Sequence, residues 1–301
     1  MNDAATSPRP RISRIPRIVT VLLAAFMLLA LASPQADAAR NKRIVAISPF
    51  AAQTMIQLGV KPIRVGNTLG TTPRQKKLFR GIPSMQLSHP NGPNLEQLAS
   101  LRPDIVFTSK QWEKGTGAMR SLGIRVINAD PLSPNAVKPT VTAIGRILGR
   151  QKQARKLNAR ISAQLRSATR GVSGSKEKVL VVLGIGNTAM AFLQNSWGGR
   201  LVQMAGGRLV TGGASASGGF ARLSDETVIS EQPERIIVVP HGSIEDLGQV
   251  TDFILNNEAW KVTPAGEKKQ IYPSIDNTLL QAGTDLGATV RMIRSKFLKN
   301  W

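Results

Sequence analysis

One long amphipathic stretch near the middle of the chain constrains the fold more than any other feature. From Gln151 to Arg170, apolar residues recur at alternating steps of three and four, which aligns them on one face of a helix. These residues are Ala154, Leu157, Ile161, Leu165 and Ala168. No Pro or Gly interrupts the stretch before Gly171, a suitable C-cap, so the helix would span roughly 30 Å. Stretches of similar length flank it, and we expect a strut between two lobes.

The composition is that of a folded globular protein with an excess of positive charge. At 301 residues, with 42% hydrophobic and 19% charged residues, the chain can bury a core in each of two domains. The chain has no Cys, which excludes a disulfide, a catalytic Cys and a lipid-bearing Cys in this sequence. The formal net charge of +22 is compatible with a nucleic acid, an anionic membrane surface or a small anionic ligand. Because the basic residues are scattered and only 4% of residues are aromatic, nucleic-acid binding is not expected.

The first 39 residues have the pattern of a secretory signal peptide. A segment with four Arg residues precedes an uninterrupted apolar run from Ile18 to Ala32, and Ala36-Asp37-Ala38 supplies small residues for cleavage. The run is shorter than the ~18–20 residues that span a bilayer, so we expect cleavage and a periplasmic protein. The alternative is a retained N-terminal membrane anchor. Removal of residues 1–39 takes away four Arg and two Asp and leaves a net charge of +20.

Short apolar strands alternate with helices on both sides of the predicted strut. Arg43–Ile47 and Asp104–Thr108 are predicted strands of the first half, and Lys178–Leu183 and Arg235–Val239 of the second. No obvious hairpin signal separates them, which favours parallel sheets covered by helices. The predicted fold class is therefore α/β, with two Rossmann-like lobes that contain mostly parallel central sheets and are joined by one long helix. The predicted boundaries are a signal peptide at 1–39, an N-terminal lobe at 40–149, a linking helix at 150–171 and a C-terminal lobe at 172–301.

Motifs of the common enzyme classes are missing. The sequence contains no GxSxG, no P-loop and no complete GxGxxG after a strand. Only His89 and His241 are available as imidazole bases, and no Ser nucleophile elbow accompanies them. We therefore expect that the protein is not an enzyme.

A series of short motifs, in order along most of residues 43–299, resembles a known family. The motifs are Arg43–Pro49 (RIVAISP), Asn94–Glu96, Leu101–Val106 (LRPDIV), Leu122–Val126, Ile147–Arg150 and Gln203–Gly207. Together they resemble the substrate-binding proteins of ABC importers for iron complexes and corrinoids, in which a single long helix joins the lobes.

The resemblance implies a function, a ligand class and a partner. It implies an exported, monomeric protein that has no intrinsic cofactor and captures a metal chelate between its lobes. A ferric siderophore is the first expectation, and haem or a corrinoid is the alternative. The ligand would pass to an ABC permease dimer in the inner membrane, with Glu96 and Glu226 pairing with Arg residues of the permease. From another functional class, a basic exported protein that binds polyanions is the alternative.

Candidate ligand residues follow the strands, since ligands of such folds lie at the carboxyl ends of sheet strands. In the first lobe these are Ser48, Phe50 and Trp112, and in the second lobe they are Trp197 and Arg222, whose segments precede helices. Aromatic rings would stack on a flat chelate, and Arg222 offers a planar fork to carboxylate or catecholate oxygens. Packing of the helices on the sheet is the alternative role for both Trp residues, and a plain surface position is the alternative for Arg222.

The two His residues are candidate iron ligands. His89 lies seven residues before Glu96, where the resemblance implies a Tyr ligand in haem-binding relatives, and His241 follows a strand of the other lobe. Two imidazoles that face each other across a cleft would coordinate iron or haem from both sides. Two His alone do not build a site for bare zinc or manganese. The alternative is that both are polar loop residues.

Overall fold

The computed structural model describes residues 42–172, 177–216, 218–241 and 244–298, without the side chains of residues 244–247, 251 and 254. The predicted signal peptide at 1–39 lies outside these residues. From Arg43 onward the chain forms one unit that contains both lobes. Within the described ranges, no helix combines the length and the apolar character needed to cross a membrane.

The N-terminal lobe is built on a sheet with the strand order β4-β3-β2-β1-β5-β6. Its strands are β1 (Ile44–Ala46), β2 (Arg64–Asn67), β3 (Ser84–Ser88), β4 (Gly92–Pro93), β5 (Ile105–Thr108) and β6 (Arg125–Asn128). Its helices are α1 (Pro49–Gln57), α2 (Pro73–Leu78), α3 (Leu95–Ser100), α4 (Thr116–Ser121) and α5 (Val137–Ile147), with 3₁₀ helices at Lys110–Gly115 and Pro134–Ala136. All neighbouring strands are parallel except β3 and β4, which form an antiparallel pair that the sequence analysis did not predict.

The C-terminal lobe has a more mixed sheet, in which β10-β8-β7-β11-β12 are neighbours and β9 pairs with β7. Its strands are β7 (Lys178–Ile185), β8 (Thr188–Phe192), β9 (Arg208–Leu209), β10 (Phe220–Arg222), β11 (Arg235–Pro240) and β12 (Ile271–Pro273). Its helices are α7 (Trp197–Met204), α8 (Asp225–Glu231), α9 (Ile244–Leu255), α10 (Glu258–Lys261), α11 (Pro264–Glu267) and α12 (Leu286–Phe297). Strands β7, β9, β11 and β12 run parallel, whereas β8 is antiparallel to β7 and to β10. The predicted fold class is confirmed.

The predicted strut is a helix from Gln151 to Thr169, here called the linking helix. Gly149 and Gly171 flank it with φ angles of 66° and 69°, in the left-handed region that glycine adopts without steric cost. Four of its five predicted apolar-face residues are buried, and Leu165 packs against the same core while partly exposed. The sequence pattern therefore located both the helix and its buried face.

A single apolar core extends from one lobe to the other through the linking helix. It includes Phe50 of the N-terminal lobe, Ile161 of the linking helix and Ile293 of the C-terminal lobe. Helix α5 packs on the first half of the linking helix, and α12 packs on the second half. At the α12 contact, Arg294 Nη1 donates a 3.0 Å hydrogen bond to the carbonyl oxygen of Ala168. The linking helix is therefore part of the core of both lobes and not a free strut.

Two smaller apolar clusters lie on the opposite faces of the two sheets. In β1, Ile44 and Ala46 join the large core while Val45 and Ile47 join a second cluster, as expected when alternate residues face opposite sides. That second cluster contains Leu98 of α3, and the corresponding cluster of the C-terminal lobe contains residues of α8 and α10. Helices α3 and α8 therefore lie on the sheet faces that point away from the linking helix.

Candidate functional site

The two lobes meet at the loops that follow their parallel strands. Asn277, after β12, donates a 2.9 Å side-chain hydrogen bond to the carbonyl oxygen of Leu69, which follows β2. His89 follows β3, and His241 follows β11. The carboxyl ends of the strands in both lobes therefore border the same cleft, where ligand sites of α/β folds lie.

His89 and His241 belong to loops of opposite lobes, and the charge of His89 acts on His241. His89 is exposed, and His241 is half-buried with its backbone N–H donating to the carbonyl oxygen of Gly184 at 2.8 Å. Burial lowers the pKa of His241, and the positive charge of nearby His89 lowers it further. A lowered pKa keeps His241 neutral near pH 7, the form that has a free ring nitrogen to coordinate a metal. Over the described ranges, no set of three His, Asp or Glu side chains could hold a metal ion.

The buried Trp112 ring is in contact with the exposed His89 ring. It packs edge-on against the His89 ring at a centroid distance of 5.7 Å, and only 6% of Trp112 is exposed. The 3₁₀ helix that contains Trp112 packs closely on the turn after β3, since a Cβ at Gly115 would lie 1.7 Å from the carbonyl oxygen of Asn91. Of the two roles considered for Trp112, the structure therefore favours packing, and its effect on a ligand would act through the position of His89.

The two candidates that follow β1 are buried. Phe50 is fully buried in the core, so its ring does not line the cleft, contrary to the expectation from the sequence. Ser48 is also fully buried, and its Oγ accepts a 3.0 Å hydrogen bond from the backbone N–H of Ala51 as the N-cap of α1. The physical reason is the same for both residues: α1 starts directly after β1 and brings its first turn into the core.

Asp130 is a residue of this edge that the sequence analysis did not select. It follows β6, and the hydroxyl of Ser48 donates a hydrogen bond to its Oδ1. Burial raises the pKa of Asp130 to about 6, although the hydroxyls of Ser48 and Ser109 act in the opposite direction. An Asp two residues after the short apolar strand β6 is a signal that could have identified it. The arrangement gives the N-terminal lobe one carboxyl group that titrates at mildly acidic pH.

Trp197 lines a cavity of about 230 Å³ between the lobes. Its indole N–H donates a 3.2 Å hydrogen bond to the carbonyl oxygen of Thr278, and 9% of the residue is exposed. Gln53 and Arg74 contribute to the cavity from the N-terminal lobe, and Asp285 contributes from the C-terminal lobe. Trp197 therefore has a packing role and also borders the space between the lobes.

Polar contacts tie the lobes together at this cavity. Asp285 Oδ2 accepts a 2.7 Å hydrogen bond from Gln53 Nε2 and forms a 2.9 Å ion pair with Arg74 Nε. Gln75 Nε2 donates to the carbonyl oxygen of Ala282 at 3.0 Å, and Thr284 Oγ1 donates to Gln57 at 2.9 Å. The segment between β12 and α12 thus forms a second link between the lobes, independent of the linking helix.

The remaining predicted residues lie on the surface. Arg222 is exposed at the end of the edge strand β10. Glu96 and Glu226 are both exposed, and each occupies the second position of a short helix whose N-cap is satisfied by Asn94 or Ser224. Hydrogen bonds from its own backbone N–H and from Ser224 lower the pKa of Glu226. The two glutamates therefore occupy equivalent positions in the two lobes.

Comparisons with known proteins agree with this architecture. A sequence model of the family described as periplasmic binding protein matches residues 44–275. A cobalamin-binding protein of Halobacterium salinarum is 28% identical over 206 residues, which is 65% of this chain, and the match spans about half (53%) of that relative.

Two further relatives match over most of their length. The high-affinity haem uptake protein IsdE of Staphylococcus aureus is 21% identical over 267 residues, covering 86% of this chain and 89% of IsdE. The haem complex of IsdE has a TM-score of 0.73 at 20% identity, covering 86% of this chain and 99% of that chain. An ABC transporter substrate-binding protein of Listeria monocytogenes has a TM-score of 0.74 at 20% identity, covering 87% of this chain and 100% of that chain.

The raised pKa of Asp130 leads to a prediction about stability. Between the usual pKa near 3.8 and the folded value of about 6, the folded protein retains a proton that the unfolded chain releases, so the stability falls as the pH rises through this range and stays reduced above pH 6. Replacing Asp130 with Asn retains the acceptor oxygen for Ser48 and removes the half-buried charge. We expect D130N to raise the free energy of unfolding at pH 7 by roughly 1–3 kcal/mol, because one pKa unit corresponds to about 1.4 kcal/mol.

Urea denaturation of the wild type and D130N at pH 7 and at pH 4 measures this effect. The difference between the two proteins should disappear at pH 4, where Asp130 is protonated in the folded state. An equal difference at both pH values, or a destabilised D130N at pH 7, would contradict the assignment of a half-buried, raised-pKa carboxyl.

Proposed function

The chain belongs to the periplasmic binding protein family, and from this premise we propose that it is the exported substrate-binding component of an ABC importer. It captures its ligand in the cleft between the lobes and delivers it to a membrane permease, without catalysing a reaction. The proposed mature protein begins after a cleaved signal peptide at 1–39 and acts in the periplasm as a monomer. The observation that most supports a site in the cleft is that the loops after the strands of both lobes meet there, with His89 on one side and His241 on the other.

We propose haem as the ligand. Haem iron accepts nitrogen ligands on both faces of a flat ring, and the cleft offers one imidazole from each lobe. The haem complex of IsdE shares this fold, and IsdE is named as a haem uptake protein. The sequence alone placed a ferric siderophore first; the pair of imidazoles moves haem ahead of it, because siderophores supply all the iron ligands themselves.

The two His residues have different proposed roles. The half-buried His241, which burial keeps neutral, is the proposed permanent iron ligand. The exposed His89, which Trp112 supports, is the proposed second ligand from the N-terminal lobe. Trp197 and Arg222 are proposed contacts for the ring edge or its carboxylates, with Trp197 the better placed because it borders the cavity between the lobes.

A corrinoid is the second candidate ligand. It is supported by the Halobacterium salinarum relative, which is named as a cobalamin-binding protein. A corrinoid also presents a flat metal ring, so the same imidazoles could approach its cobalt. A ferric siderophore is the third candidate ligand.

Glu96 and Glu226 are the proposed docking groups for the permease dimer. Their equivalent positions on α3 and α8 place one exposed carboxylate on each lobe, as a partner with two related subunits requires. Two acidic groups on a strongly basic protein would also orient its approach to basic residues of the permease.

Absorbance titration with haem tests the ligand. The wild type should give the spectrum of six-coordinate low-spin haem, and H89A and H241A should each lose it. We expect each substitution to weaken haem binding on the order of a hundredfold or more, at or above the upper end of the roughly 10–100-fold loss typical of residues that only support a ligand. S88A, an exposed neighbour of His89, is the matched control and should bind as the wild type does.

Parallel titrations with cobalamin and a ferric siderophore, followed by tryptophan fluorescence, compare the ligands. Haem affinity that is unaffected by both His substitutions would refute the bis-imidazole site. Tighter binding of the siderophore than of haem would overturn the haem assignment, and binding of none of the three would contradict the proposed function.

Substitution of the two glutamates tests docking separately from ligand binding. The double variant E96A/E226A should abolish ligand uptake in cells while the purified protein retains its affinity for the ligand. The control pair E113A/E267A removes one exposed acidic residue from each lobe, outside α3 and α8, and should transport normally. Loss of ligand affinity in E96A/E226A would contradict a role in docking.

A further inference from the structure

The outer face of the linking helix is a dense array of positive charge. Its exposed basic side chains are Lys152, Arg155, Lys156, Arg160 and Arg166. At about 100° per residue they occupy an arc of roughly 140° on the side opposite the buried face. Small residues, Ala159, Ala163 and Ser167, lie between them on this arc, so the long basic side chains extend beyond the rest of the surface.

The charge of this face has a single sign. Residues 131–176 contain ten Lys or Arg residues and no Asp or Glu. Helices α5 and α12, which pack against the linking helix, also contain no acidic residue, and they add the exposed Lys138, Arg146 and Arg291. None of the basic side chains of the linking helix forms an ion pair within the part of the chain that the structure describes. The face thus has no internal counter-charge.

We propose that this basic face docks on a bilayer that contains anionic phospholipids. The helix is about 28 Å long, and its other side is embedded in the shared core, so its charges are presented on one fixed, elongated face. Such a face matches a flat anionic surface, which attracts each nearby Lys or Arg. A nucleic acid fits less well, since residues 131–176 contain no aromatic side chain on which bases could stack.

The basic face lies away from the cleft and from the proposed docking glutamates, so the protein can bind a bilayer and its ligand at the same time. Helices α3 and α8, with Glu96 and Glu226, lie on the opposite sheet faces, and the cleft lies at the carboxyl ends of the strands. Contact through the linking helix therefore leaves the cleft and both glutamates accessible. The inference does not depend on which ligand the cleft binds.

Co-sedimentation with vesicles tests the proposal. The protein should bind vesicles of equal parts phosphatidylglycerol and phosphatidylcholine and should not bind pure phosphatidylcholine vesicles. The triple variant R155Q/K156Q/R160Q should bind the anionic vesicles on the order of a hundredfold more weakly, from roughly fivefold for each charge near the surface. Gln is compatible with the helix, and thermal unfolding confirms that the variant is folded.

A second triple variant distinguishes the effect of this basic face from the effect of a lower net charge. The triple variant R120Q/R125Q/K268Q removes two Arg and one Lys, all exposed, from α4, β6 and the end of α11. It should retain most of the affinity for anionic vesicles. Equal losses in both triple variants, no binding by the wild type, or full displacement of the wild type by soluble polyphosphate at equal phosphate concentration would each overturn the proposal. Both triple variants should bind the cleft ligand as the wild type does. A failure of the membrane proposal is therefore distinguishable from a failure of the proposed function.

Discussion

The apolar core that passes through the linking helix is the constraint on which the rest of the structure depends. In a typical two-lobed protein each lobe has its own core, and the connection bends. Here Ile161 and its neighbours belong to the same packed cluster as Phe50 in one lobe and Ile293 in the other. Closely packed interiors resist deformation, so the angle between the lobes is set by the same contacts that stabilise them. The hydrogen bonds of Asp285 to the N-terminal lobe add a second fixed connection.

A fixed separation of the lobes suits a rigid, flat ligand. When the cleft already has the correct width, the protein loses little conformational entropy on binding. The ligand-binding side chains are then already in position when the ligand enters. His241 is held by its half-buried strand end, and His89 is held by the buried Trp112. The same packing makes the linking helix a strongly basic surface on the side away from α3 and α8. One structural element thus fixes the cleft and exposes a surface of uniform charge.

The sequence predicted features that depend on local spacing, and it missed features that depend on distant partners. The linking helix and its buried face follow from short-range patterns, and both are present. The β3–β4 pair and the antiparallel β8 were missed, because an apolar run predicts a strand but not its neighbour. The placement of His89 and His241 at the same cleft required the tertiary fold.

Small-angle X-ray scattering of the protein with and without haem tests the central claim most directly. The shared core predicts that the two scattering curves superimpose and that the radius of gyration does not change when haem binds. A clear decrease of the radius of gyration on saturation with haem would show that the lobes close as rigid bodies about a hinge. That result would contradict the account of a cleft whose width is fixed by the core of the linking helix.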